Sequence, residues 1–354
     1  MSRRSPAQRD MTIERPIRAY SLVVDGPSDP GNPHAAIGGN MKPIKGVYLS
    51  DTLDLNAYYS DAFAPYDGDV LMHDPSEIEA TGDIEFALCW EPADDAFNAY
   101  PALKLVSSIA AGVHNILRCS SLPETVLVTR VRDPQQARDM AAFAVRQVVD
   151  VHRRMAELTQ QEAARVWKRM PYASTQSYRI AVLGYGLMGH AVSDTLSNLG
   201  YHVVAYAKNT RSPTGSVRVF SEREGVLVAV RDANVVIDLM PATDDTNGLL
   251  NATLFSALAD SATLIQLGRG PHLVEDDLLA ALESGKIGHA ALDVFATEPL
   301  PKDHIFWSHP KISVTPHIAA ESRKDNVARL VVDDIRSVWS GAHPVGLIDR
   351  SRGY

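Results

Sequence analysis

Short apolar runs alternate with longer polar or amphipathic stretches from residue 45 onward. GVYLS at 46–50, DVLM at 69–72, FALCW at 86–90, KLV at 104–106 and TVLVT at 125–129 read as strands, with helices or loops between them. After Pro171 the alternation restarts more strongly. YRIAVL at 178–183, YHVVAY at 201–206, VVIDL at 235–239, ATLIQ at 262–266, GHAALD at 288–293 and ISVT at 312–315 are the strands predicted there, followed by a helix over about 321–339. Runs this short and continuously apolar suit strands buried on both faces, and their alternation with helices predicts βαβ units and parallel sheets.

Between the two series, residues 133–169 carry Met140, Phe143, Val148, Val151, Met155 and Leu158 at helix-compatible intervals. One long helix or a broken pair is predicted, either bridging domains, making a dimer contact or packing on its own domain. The first forty-odd residues hold a weak strand signal at 18–25 and a turn-rich linker at 26–33.

A chain of 354 residues has room for two domains, and 45% hydrophobic with 22% charged residues describes a globular enzyme. The net charge of −9 argues against a nucleic-acid surface. Cys89 and Cys119 are too few for a disulfide framework or a thiolate metal site, so a reducing compartment and no metal are expected. No apolar run is long enough for a membrane span. The N-terminus, with Arg3, Arg4, Arg9, Arg15 and Arg18, lacks the apolar core of a signal peptide; a cytoplasmic location is expected.

Gly184-x-Gly186-x-x-Gly189 has a strand before it, a helix after it and a second strand about twenty residues on. Gly184 permits the tight turn, Gly186 lets a pyrophosphate approach the backbone, and Gly189 lets helix and strand pack closely. The helix N-terminus, at Leu187 and Met188, presents unpaired N–H groups to the phosphates. At the end of the second strand the acid that would hold a ribose 2′-OH is missing, and Lys208 and Arg211 stand there instead. Cations at that place suit a 2′-phosphate, so NADP(H) is the predicted cofactor, with NAD(H) as the alternative.

Arg269, Glu298 and His317 follow in order, each just beyond a predicted strand, where open α/β sheets bind ligands. Each alone has a bland reading as a loop cap, a surface charge or a loop histidine. Together they supply a rigid fork for a carboxylate, a proton donor near neutral pH and an acid to orient it.

With these motifs the chain resembles the D-isomer-specific 2-hydroxyacid dehydrogenases, and among them the glyoxylate/hydroxypyruvate reductase A branch. The resemblance runs over about residues 45–354 and rests on DLMPAT at 238–243, GRG at 268–270, LDVF at 292–295, EPLP at 298–301, TPH at 315–317 and DRSRGY at 349–354. It implies two Rossmann-like α/β domains, a flavodoxin-like substrate domain and a doubly wound cofactor domain, with a cleft between them. Residues 1–44 would be an extension, 45–123 the substrate domain completed by 319–354, and 124–318 the dinucleotide-binding domain.

By the same resemblance Arg269 binds a small 2-oxo acid, His317 donates the proton and Glu298 is its partner. Asp293 would hold the nicotinamide carboxamide, and Pro241 and Thr243 would line the cofactor groove. A loop matching residues 110–113 would cradle the substrate carboxylate with amides of Ala111 and Gly112. Trp90 would face the cleft, shaping the pocket or forming its lip. Ala110, His114 and Gln266 stand where the family pattern has Gly, Asp and Asn. The implied activity is NADPH-dependent reduction of glyoxylate or hydroxypyruvate to the D-2-hydroxy acid by a homodimer. The competing expectation is a corepressor-like scaffold that senses nicotinamide dinucleotide with little catalysis.

Overall fold

The computed structural model describes residues 42–209, 215–222 and 224–350, in which the apolar runs form two sheets whose paired strands are all parallel. The strand expected at 18–25, and Arg211, lie outside the described residues.

The first sheet comprises β1 (Ile44–Leu49), β2 (Val70–His73), β3 (Phe86–Cys89), β4 (Leu105–Ser108) and β5 (Leu127–Thr129), in the order β2-β1-β3-β4-β5. This is the flavodoxin-like order. Every residue of β3 and β4 is buried, as expected of central strands covered on both faces. On one face pack α1 (Leu55–Phe63) and a helix from the far end of the chain, described below. On the other face Phe97, Tyr100 and Ile116 form the core, the last from α2 (His114–Leu117).

Because β5 pairs with β4, this sheet continues past residue 123, where the domain boundary was expected. The apolar run at 125–129 completes the first core, and the chain crosses to the second body only at 130–133.

Residues 133–169 form two helices, α3 (Pro134–His152) and α4 (Met155–Ala163), with Arg154 left-handed between them at φ 55°. Met140, Ala141, Ala144 and Val148 of α3 make one apolar stripe. The stripe packs on Val192 and Leu196 of α5 (Leu187–Asn198), whereas no residue of α4 is buried.

The second sheet holds β6 (Arg179–Leu183), β7 (His202–Ala207), β8 (Arg218–Ser221), β9 (Val235–Asp238), β10 (Ala262–Gln266), β11 (Ile287–Leu292) and β12 (Ile312–Val314). Their order, β12-β11-β10-β9-β6-β7-β8, is the doubly wound one with an extra strand. Helices α5, α6 (Val226–Val230), α7 (Ala252–Ala257) and α8 (Glu275–Glu283) lie between successive strands. The strand order reverses between β6 and β9, where Leu183 pairs with Asp238 at the carboxyl edge.

The last helix, α9 (Lys324–Trp339), returns to the first sheet. Val327, Val331 and Ile335 bury one stripe against Tyr59 and Phe63 of α1. The two chain crossings between the bodies are tied to each other. Asp133 caps α3 and accepts a hydrogen bond from Asn326 at 3.3 Å, while Gln136 donates to the Ala320 carbonyl at 3.2 Å.

Candidate functional site

The carboxyl edges of both sheets face a cleft of about 1000 Å³. Gly184, Gly186, Leu187, Met188 and Gly189 line one wall. Their spacing follows from contacts. Gly184 has φ +94° and lies so near the Leu239 carbonyl that a Cβ would sit 2.6 Å from its oxygen. A Cβ on Gly189 would meet the Gly184 oxygen at 1.7 Å, whereas one on Gly186 would meet nothing within 4 Å. The middle glycine therefore faces open space, at the start of a helix that no side chain caps. That cradle fits a pyrophosphate.

Beyond β7, Lys208 lines the same cleft with Pro241 and Thr243, and its ammonium pairs with Asp245. Thr243 is held in a capping box with Thr246, its N–H donating to Oγ1 at 2.9 Å.

Arg269 follows β10 and is shaped by its own loop. Gln266 donates to the Arg269 carbonyl at 2.9 Å, and the guanidinium donates to the Gly268 carbonyl at 2.7 Å. Burial pulls the Arg269 pKa down from the usual arginine value, and Glu298 and Asp238 oppose that pull. The guanidinium reaches across to the loop of residues 110–113 in the other body, where a Cβ on Gly112 would lie 2.6 Å from its Nη2.

His317 sits after β12 in the left-handed region, φ 53°, with its N–H donated to the Asp293 carbonyl at 2.9 Å. Its Nδ1 is 2.8 Å from Oε2 of Glu298, whose Oε1 accepts the Phe295 N–H at 2.9 Å. Burial alone would raise the Glu298 carboxyl, but these hydrogen bonds and the charges of His317 and Arg269 hold it below the ordinary value. Asp293 lines the cleft, yet both its oxygens are used within the protein. They accept from Thr315 Oγ1 at 2.5 Å, Ile318 N at 3.1 Å and Ala319 N at 2.9 Å, shaping the turn that carries His317.

Trp90, Ala111, Gly112, Arg269, Asp293 and His317 thus border one cavity with the glycine turn, and Glu298 stands behind the histidine. Several lining residues were not singled out from sequence: Arg130, Arg132, Tyr185 and, as a binding group, His114. Arg130 and Arg132 directly follow β5, the same post-strand placement that marked Arg269, so a signal was there. Burial lowers the His114 pKa, helped by Arg269 and Arg118 and opposed by Glu91. Among the described residues no group of three or more His, Cys, Asp or Glu side chains is placed to hold a metal ion.

Two parallel-sheet bodies with a glycine turn opening on the cleft between them define the dinucleotide-binding α/β class. Residues 145–319 match the family model described as D-isomer specific 2-hydroxyacid dehydrogenase, NAD binding domain. Glyoxylate/hydroxypyruvate reductase A of Yersinia enterocolitica is 36% identical over 279 residues, covering 77% of this chain and 89% of that protein. The D-isomer specific 2-hydroxyacid dehydrogenase of Xanthobacter autotrophicus Py2, solved with NADPH and MES, superposes with a TM-score of 0.81 at 29% identity, over 88% of this chain and 100% of that one. The NADPH-dependent glyoxylate/hydroxypyruvate reductase of Sinorhizobium meliloti, solved with NADP and sulfate, gives 0.81 at 27% identity, with coverages of 88% and 100%. The chain belongs to the D-isomer specific 2-hydroxyacid dehydrogenase family, in its glyoxylate/hydroxypyruvate reductase A branch, and is a dehydrogenase of that kind.

Proposed function

We propose that this dehydrogenase reduces a small 2-oxo acid, glyoxylate or hydroxypyruvate, to the D-2-hydroxy acid with NADPH. The observation that carries the reading is the placement of Arg269 and His317 on the one cavity bordered by the glycine turn. When bound, the reduced dinucleotide supplies a hydride to the carbonyl carbon. Arg269 holds the substrate carboxylate and stabilises negative charge on the carbonyl oxygen as it develops. Ala111 and Gly112 present backbone amides to the same carboxylate, close because they are small. Glu298 engages Nδ1 of His317, which leaves Nε2 to deliver the proton to the oxygen.

The turn from Gly184 to Gly189, with the amides of Leu187 and Met188, would hold the pyrophosphate, and Pro241, Thr243 and Asp293 the nicotinamide end. Lys208 supports NADP(H) over NAD(H), and relatives solved with NADPH or NADP support the same choice. Residues 42–129 with 324–350 would form the substrate domain and 134–318 the dinucleotide domain. A homodimer is the assembly we expect. No helix among the described residues is long and apolar enough to cross a membrane.

The test follows NADPH absorbance with glyoxylate, hydroxypyruvate and branched 2-oxo acids, and repeats it with NADH. Turnover of the short acids with NADPH is expected, and His317→Ala should lower it about 10²–10⁴-fold. Unchanged turnover in that variant would remove the proposed donor.

A further inference from the structure

Beneath the arginine loop lies an ionisable pair that the reaction above does not use. Asp238 ends β9 and His272 lies three residues past Arg269; their side chains are 0% and 1% exposed, with Nδ1 of the ring 2.7 Å from Oδ2 of the carboxylate. The other carboxylate oxygen accepts the Met240 N–H at 3.1 Å. The Asp238 carbonyl accepts from Leu267 N at 3.0 Å, and His272 N donates to the Arg269 carbonyl at 3.1 Å. One residue thus joins the segment at 239–243, which lines the dinucleotide crevice, to the loop at 267–272, which carries the arginine.

The second ring nitrogen of His272, Nε2, is buried and has no hydrogen-bond partner among the described residues. The pair also stands near the arginine: Asp238, with Glu298, opposes the effect of burial on the Arg269 guanidinium. There is no slack around it: a Cβ on Gly268 would stand 2.3 Å from Asp238 Oδ2 and 3.0 Å from His272 Nδ1. A Cβ on Gly270 would stand 1.9 Å from the Phe295 carbonyl carbon.

We infer that Asp238 and His272 are positioning residues for the substrate-binding cation: their bond fixes the 268–272 loop so that Arg269 meets the 110–113 loop. The inference rests on the reading of Arg269 as the group that binds the 2-oxo acid.

The experiment measures KM for glyoxylate, kcat, and the NADPH dissociation constant by fluorescence. The variants are Asp238→Asn, His272→Ala, His272→Gln and Arg269→Lys, with a double-mutant cycle between Asp238→Asn and Arg269→Lys. Asp238→Asn and His272→Ala are expected to raise KM about tenfold or more, with NADPH affinity held within about twofold. His272→Gln, which keeps a donor, should recover most of that loss, and the cycle should be strongly non-additive. If His272→Ala does not fold, Asp238→Asn and His272→Gln carry the comparison. An unchanged KM in Asp238→Asn, an additive cycle, or an equal loss of NADPH affinity would overturn the positioning role while a large Arg269→Lys effect left the substrate reading standing. An unchanged KM in Arg269→Lys would remove the substrate reading itself.

Discussion

The guanidinium of Arg269 and the bare backbone at Gly112 are two halves of one contact. A methyl group on Gly112 would sit 2.6 Å from Nη2, and the atom it displaces is the far end of a flexible side chain. Gly112→Ala should therefore fold with little loss but move the guanidinium. A rise in KM for the 2-oxo acid of about 10–100-fold is expected, read by steady-state kinetics beside an unchanged Tm. Glu298 gives a pH test. Its pKa in the folded protein lies below the ordinary 4.5, because the hydrogen bonds and neighbouring positive charges outweigh burial. A depressed carboxylate contributes stability that is full above the ordinary value and is lost as pH falls through the folded one. Tm should therefore fall on acidification below about pH 4.5 in the parent, and fall less steeply in Glu298→Gln. Parallel Tm curves would contradict the coupling. The meeting of Arg269, Glu298 and His317 at one cleft was readable because each follows a strand in a recognisable phrase. The Asp238–His272 bond was not readable, since it joins positions 34 residues apart and leaves no periodicity.

At the scale of elements, the glycine turn separates two kinds of constraint that a motif merges. Gly189→Ala places a methyl 1.7 Å from a backbone oxygen that cannot step aside, so strand and helix must part. A loss of at least about 1–3 kcal/mol is expected in chemical denaturation. Gly186→Ala meets nothing within 4 Å, so it should stay within about 0.5 kcal/mol of the parent while NADPH binds more weakly. Equal denaturation midpoints for the two variants would refute this division. Central strands such as β3, β4, β9 and β10 were legible because burial on both faces makes them continuous apolar runs. The edge strand β8 was not foreseen: among the described residues it pairs only with β7, and RVFS buries only Phe220. The break at Arg154 was foreseen only as an option, because a left-handed arginine carries no local signal.

For the molecule as a whole, the cleft is built by both bodies, and the chain crosses between them at 130–133 and 319–323. Asp133 and Gln136 tie those crossings together. A ligand seated in the cleft should stabilise the whole by mass action, about 2.7 kcal/mol at a hundredfold excess over Kd. Thermal melts should show a larger shift with NADPH than with NADH at equal concentration. An equal or reversed order would count against the reading of Lys208. The parallel α/β architecture was legible from the alternation of runs. The place of the boundary was not, because the run at 125–129 looks alike whichever sheet it joins.

Arg269 stands on the dinucleotide-bearing sheet, whereas Trp90, the 110–113 loop and His114 stand on the other. On the proposed reading both sheets would share recognition of the acid: Arg269 and the 110–113 loop would take the carboxylate, and Trp90 and His114 would meet what hangs from it. Grafting Trp90 and the segment 110–114 from a relative with a different preference should change the choice of acid and leave the choice of coenzyme untouched.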